Sequence, residues 1–173
     1  TVAFTNLTSD HLDYHKKISR YVDAKSLLFT EHVKINGKAV INSDSKYSPF
    51  FKNLCKTNNL EILDFGKKAL FLKILKIKRI ENKYQLHIKV SGKEIFAEIN
   101  ANTTYEIYNK LCALIIVYSD KINLKKIEKL NSLANPSGRM EKIFDKKNIK
   151  VFVDYAHTQS AIKAVLSSLK KIT

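Results

Sequence analysis

Apolar residues come in short blocks along this chain, and the spacing inside the blocks changes from place to place. Val2, Ala3 and Phe4 predict a strand over residues 2–5, stopped by Asn6. Ile18, Tyr21, Val22, Leu28 and Phe29 recur near the 3.6-residue period of one helix face, which predicts a helix ending near Glu31. Residues 38–41 read as a second strand, followed by the turn Asn42-Ser43-Asp44-Ser45. A second helix is expected from Pro49, a good first-turn residue, to about Cys55. Strand, helix, strand, helix is the order of an α/β sheet with parallel strands.

The middle changes character. After a short strand at 61–65, runs at 70–80, 84–90 and 94–99 are rich in β-formers, and Leu86, Ile88 and Val90 alternate with His87 and Lys89. These predict an antiparallel β meander appended to the parallel sheet. Helices are expected at 105–118 and 124–133. Asn135-Pro136-Ser137-Gly138 then places both strong chain-breakers within three residues, which marks a boundary. Strands near 141–144 and 151–153 and a helix over 160–170 begin a new α/β unit. A single strand-helix unit cannot bury both faces of a sheet, so the expectation is that the chain is an excerpt. The opening Thr-Val-Ala-Phe, with no Met and no leader, points the same way.

With 173 residues, one ordinary domain plus a piece of another is the natural capacity. The longest apolar run, 111–118, is far short of the roughly 18 residues needed to span a bilayer, so no membrane partner is expected. The net charge of +15 raises a nucleic-acid reading. Of the 31 basic residues, however, only Arg20, Arg79 and Arg139 are arginine, and the lysines are scattered rather than gathered into a phosphate track. A basic nucleic-acid-binding module is therefore the alternative, and no nucleic acid is expected. Cys55 and Cys112 belong to no C-x-x-C pair; Cys112 lies within an apolar helical pattern as a small core residue, and a reducing cytoplasm is the simpler assumption.

Four constellations could carry chemistry. Asp10-His11-Leu12-Asp13-Tyr14-His15 follows a strand end, where open α/β sheets bind ligands, and its carboxylates or imidazoles could hold a metal. A capped helix start with surface histidines is the plainer reading. Lys25 sits in an amphipathic helix, where a lysine is ordinarily solvated. Gly138-Arg139-Met140-Glu141 places an arginine behind a tight turn, suited to an anion. Asp154-Tyr155-Ala156-His157-Thr158 leads from a strand end into a helix whose N-terminus favours anions. No G-x-x-x-x-G-K-[ST] loop is present.

In this order, and with Val40-Ile41-Asn42-Ser43-Asp44 between them, these pieces resemble the Mur ligase family of peptidoglycan precursor synthesis, closest to the branch that adds the third peptide residue. The resemblance implies the later part of a central ATPase domain over 1–135, its P-loop upstream. It also implies the start of a Rossmann-like C-terminal ligase domain over 136–173, truncated. The implied activity is ATP-dependent amide-bond formation through an acyl phosphate. The substrates would be UDP-N-acetylmuramoyl-L-alanyl-D-glutamate and diaminopimelate or lysine, with two Mg²⁺ ions, in a cytoplasmic monomer.

By the same resemblance His11 matches a metal-ligating histidine, and Lys25 a lysine carried as its N-carboxylated form, which would also ligate metal. Both count as catalytic candidates. Arg139, Asp154 and His157 match ATP-holding positions. Tyr105-Glu106-Ile107-Tyr108-Asn109 resembles an adenine-contacting Phe-Asn-x-x-Asn in which Asn109 fits. Glu106 departs from the usual asparagine, Thr103 from a glycine, and Gln159 from a proline. Folylpolyglutamate and cyanophycin synthetase relatives are the nearest enzyme alternatives. The isolated chain is expected to be inactive.

Overall fold

The computed structural model describes residues 1–8, 17–81, 83–133, 136–146 and 149–170, without the side chain of Ser160. Six strands form one mixed sheet in sequential order. Strands β1 (Val2–Phe4), β2 (Lys38–Asn42) and β3 (Glu61–Gly66) run parallel. Helix α1 (Ile18–Thr30) precedes β2, and α2 (Ser48–Thr57), with its proline in the first turn, precedes β3. The central residues of β2 are buried on both faces, as a strand covered by helices on each side must be. Val40 belongs to the core shared with the meander. Ala39 and Ile41 belong to the core under α1 and α2, where Phe51 stacks on Phe4 at 4.0 Å.

The β meander is present: β4 (Leu72–Ile80), β5 (Lys83–Val90) and β6 (Lys93–Asn100) pair antiparallel. Only two residue pairs, Phe65↔Leu72 and Gly66↔Lys73, join it to β3, in parallel. The meander therefore extends past the carboxyl end of the parallel strands. Beyond Lys73 the outer edge of β4 has no strand partner among the described residues. Lys73, Lys76 and Lys78 stand exposed there, the charge placement that keeps an open edge from pairing with another chain.

The short link from β3 to β4 is held by two carboxylates. Asp64, buried within β3, accepts from the Leu70 and Phe71 N–H groups at 2.9 and 2.8 Å and from the Ser43 hydroxyl at 2.8 Å, and pairs with Lys52 on α2. Asp44 accepts from the Lys67 and Lys68 N–H groups and, at 2.6 Å, from the Tyr108 hydroxyl. Gly66 lies at φ +126, and a Cβ there would stand 2.7 Å from Asp44 Oδ2, so only glycine fits.

Helix α3 (Thr104–Tyr118) packs over the parallel strands, its Ile107, Leu111, Leu114 and Ile115 buried in the core shared with the meander. The expected helix at 124–133 divides into α4 (Leu124–Glu128) and a 3₁₀ turn at Lys129–Ser132, whose Asn131 caps the outer edge of β6 by bonding Asn100 N–H and Glu98 C=O. After the boundary come β7 (Glu141–Lys146), β8 (Ile149–Val153) and α5 (Gln159–Leu169). The two strands form an antiparallel hairpin, a local pairing that precedes the strand-helix step from β8 to α5. Cys55 and Cys112 are buried and unpaired with each other, and burial pushes both thiols up to about 11. Among the described residues no helix is long and apolar enough to cross a membrane.

Candidate nucleotide site

A cavity of about 690 Å³ lies between the first half of α3, the boundary loop, the end of β8 and the first turns of α5, with Asn6 and Thr8 at its side. It gathers three residues singled out from the sequence: Asn109, Arg139 and Asp154. They stand as far apart as 45 positions in the chain and meet because the boundary loop folds back onto α3.

Asp154 is the tie. Its Oδ2 accepts from the Met140 N–H at 2.8 Å and from the Tyr105 hydroxyl at 3.5 Å, while Oδ1 accepts from the Ala156 N–H at 2.8 Å. One side chain thus joins the boundary loop, the β8 exit and α3. Met140 is buried in a left-handed conformation, φ 46, and that backbone turn presents its N–H to the carboxylate. Burial first, and then the neighbouring Asp154 charge, push the Tyr105 hydroxyl up to about 12, so it remains a donor at neutral pH. Arg139 is exposed on the rim, its guanidinium 4.9 Å from the Tyr155 ring centroid, a stacking that orders the cation without neutralising it.

Helix α5 begins at this cavity. Thr158 caps it by accepting from the Ala161 N–H at 3.3 Å, so the positive end of the helix faces the same space. His157 is not among the lining residues, although both neighbours are. Its ring is exposed, with Nδ1 2.9 Å from the Tyr155 carbonyl and an edge-on contact to the Tyr155 ring. Lys25 does not line the cavity either; it is half-buried on α1, its Nζ 4.8 Å from the Tyr21 ring centroid. His11, with the rest of the Asp10–His15 segment, lies outside the described residues. Among the described residues no group of three or more His, Cys, Asp or Glu is gathered to hold a metal ion.

The two departures at the start of α3 have a local physical cause. Thr103 is the N-cap and accepts from the Glu106 N–H at 3.2 Å, while Glu106 reaches back to the Asn102 N–H at 2.8 Å. This is a variant of the reciprocal Thr-x-x-Glu cap, a signal present in the sequence but passed over in favour of the asparagine motif. Glu106 also pairs with Lys110 one turn on, at 3.1 Å, and Lys110 donates to the Asn100 carbonyl at 2.7 Å. Sequence reasoning also missed Tyr105 as an Asp154 partner, whereas the Thr158 cap is one it offers, with Ser160 as the alternative.

The family model for the Mur ligase middle domain matches residues 1–117. The chain belongs to the Mur ligase family. It is 36% identical over 169 residues to a UDP-N-acetylmuramoyl-L-alanyl-D-glutamate–2,6-diaminopimelate ligase of Anaplasma marginale, covering 97% of this chain and 34% of that protein. A solved structure of an enzyme with the same printed function matches at a TM-score of 0.75 and 25% identity, over 98% of this chain and 35% of that one. The MurF ligase of Thermotoga maritima, solved in complex with ADP, shares the fold at a TM-score of 0.78 and 18% identity, over 98% of this chain and 39% of its own. The chain spans about a third of the length of the curated relatives it matches. The mixed sheet with its meander is thus a Mur-ligase architecture.

Proposed function

We propose that this chain is the nucleotide-binding portion of an ATP-dependent ligase of peptidoglycan precursor synthesis. That ligase joins a third amino acid, diaminopimelate in preference to lysine, to UDP-N-acetylmuramoyl-L-alanyl-D-glutamate in the cytoplasm. The observation that carries this reading is the convergence of Asn109, Arg139 and Asp154 on one cavity. The diaminopimelate preference rests on the printed function of the relatives. Residues 1–135 correspond to the later part of the central domain and 136–173 to the start of the next.

In the reaction, a carboxylate oxygen of the dipeptide attacks the γ-phosphorus of ATP, ADP departs, and an acyl phosphate forms. The amine nitrogen then attacks the acyl carbon, phosphate leaves, and the ammonium proton passes to solvent or a base. Catalysis of such a transfer is largely positioning and charge stabilisation. Asp154 Oδ1 has a lone pair to spare beyond the Ala156 N–H and is placed to accept from a ribose hydroxyl. Arg139 and the α5 N-terminus supply positive potential beside it. Asn109 offers an amide donor and acceptor to the base edge. His157 lies on the same segment, between the lining residues Ala156 and Thr158, and is the candidate phosphate contact by resemblance.

Lys25 as an ammonium has the wrong charge to ligate a metal, and its chemistry fits only after CO₂ adds to the neutral amine. The resulting carbamate offers hard anionic oxygens. By the resemblance, His11 and carboxylated Lys25 would hold Mg²⁺. The ion, when bound, screens the repulsion between carboxylate and triphosphate.

The test is a ligation assay on the full polypeptide carrying this chain, with ATP, the UDP-linked dipeptide and either amine, reading phosphate release and product mass. We expect phosphate release to depend on both the dipeptide and diaminopimelate, and none from the isolated 173 residues. Ligation of neither amine, or turnover by the isolated chain, contradicts the proposal.

A further inference from the structure

A second cavity, of about 510 Å³, opens at the start of α2, beside the carboxyl ends of β2 and β3. It shares no lining residue with the nucleotide cavity. The turn after β2, one face of α2 and the turn after β3 enclose it. Ser48, Lys52 and Lys56 follow each other at four-residue steps along that face, and Lys46 and Lys68 join them from the turns.

The charges around this space are unbalanced. Asp44 is the only carboxylate among the described lining residues, and it already accepts from the Lys67 and Lys68 N–H groups and the Tyr108 hydroxyl. Lys52 gives one ammonium donor to Asp64 at 2.5 Å and keeps the others. Lys46, Lys56 and Lys68 are exposed and form no ion pair among the described residues.

A buried hydroxyl points the same way. Ser48 is only 3% exposed, and the surface it keeps lines this cavity. Its Oγ bonds to no described residue, yet it is not sealed from the space in front of it. Ser43, on the same rim, differs: its hydroxyl donates to Asp64 at 2.8 Å. The Ser48 N–H is taken by the Ser45 carbonyl at 3.0 Å, and Pro49 has no N–H to give. The Ser48 hydroxyl is therefore the donor this helix start presents, with the positive end of the helix dipole behind it.

Such a set suits one ligand chemistry. A carboxylate is gripped best by a planar guanidinium fork, and no arginine lines the space. Ammonium groups act as point charges and suit a tetrahedral dianion. We propose that the start of α2 binds a phosphate group, held by the Ser48 hydroxyl and the ammonium groups of Lys46, Lys52 and Lys56. The cavity is larger than phosphate itself and leaves room for an ester substituent. This assignment does not depend on the nucleotide reading.

The experiment is isothermal titration calorimetry of the full polypeptide carrying this chain, at constant ionic strength, with inorganic phosphate, glycerol 2-phosphate and acetate in turn. Either phosphate should bind and acetate should not. A preference for inorganic phosphate makes free phosphate the ligand, and a preference for the monoester makes it a phosphorylated molecule. Ser48→Ala should weaken phosphate binding by about tenfold or more, the loss of a hydrogen bond to a charged group. The double variant Lys46→Gln/Lys56→Gln should weaken it by about 2- to 25-fold. Both lysines are exposed, so this variant decides the matter even if Ser48→Ala fails to fold. Asp154→Asn, which alters only the nucleotide cavity, should leave phosphate affinity unchanged. Acetate binding as tight as phosphate overturns the proposal, as does an unchanged phosphate affinity in either folded variant. No phosphate binding tighter than about 10 mM overturns it too. A loss in Asp154→Asn would put the phosphate in the nucleotide cavity and overturn it as well.

Discussion

Asp64→Ala is expected to lower folding stability by about 3 kcal/mol or more, measured by urea unfolding monitored by far-UV circular dichroism. The carboxylate is buried and has four donors: two backbone N–H groups of the β3–β4 link, the Ser43 hydroxyl and the Lys52 ammonium. Alanine leaves the N–H groups of Leu70 and Phe71 without their acceptor and the Lys52 charge without its partner. Lys52 is 27% exposed, so water recovers part of that last loss. The link also positions the meander, and the effect should appear as a cooperative loss rather than fraying of one strand.

The same carboxylate governs an acid limit. Burial alone would raise the Asp64 carboxyl, but the hydrogen bonds from Lys52, Phe71, Ser43 and Leu70 outweigh it and hold the group below its ordinary value. Asp44 behaves alike, its burial outweighed by bonds from Tyr108, Lys67 and Lys68. A depressed folded-state value means the stabilisation is complete above the unfolded carboxyl range, about pH 4, and is lost as pH falls through the lower folded-state value. Asp64→Ala should therefore flatten the acid side of the stability profile as well as lower it. A profile unchanged in slope contradicts this role.

Asp154→Ala in the full ligase is expected to lower kcat/KM for ATP by about 30- to 150-fold, about 2 to 3 kcal/mol, within the range of one charge-assisted hydrogen bond. Two losses combine: the acceptor offered to the nucleotide, and the bond that holds Met140 N–H and so shapes the boundary loop. Asp154→Asn separates them, because its amide oxygen can still accept from Met140. The asparagine variant, which keeps the Met140 bond but sets its NH2 against the Ala156 N–H, should lower the melting temperature less than alanine does while kcat/KM for ATP falls as far. If both variants retain parental kcat/KM, Asp154 is not part of the site.

Much of the sheet was readable because it follows from short-range pattern. Val2–Phe4, Lys38–Asn42 and the alternation in Lys83–Val90 each announce a strand by composition and period alone. The antiparallel pairing of β7 with β8 was not readable, since alternation within each strand says nothing of the direction in which its neighbour runs. Asp64 looked like one polar residue in an apolar strand, and its four donors come from residues 6 to 21 positions away that only the fold assembles. Asn109, Arg139 and Asp154 were found through motif resemblance, and the structure brings them to one cavity. His157 illustrates the limit of that route: sequence places the residue beside the site, but the ring torsion that turns it away is set by the Tyr155 carbonyl and ring. Glu106 shows the converse, a departure from a motif that becomes intelligible once Thr103, Asn102 and Lys110 are seen around it.

The central claim is that nucleotide occupies the space between α3 and the boundary loop. Photolabelling the full polypeptide with 2-azido-ATP, followed by peptide mapping, tests it most directly. The label should fall within residues 104–118 or 136–165 and be suppressed by excess ATP. Label confined to other segments, or labelling that ATP does not suppress, would place the nucleotide elsewhere and contradict the claim.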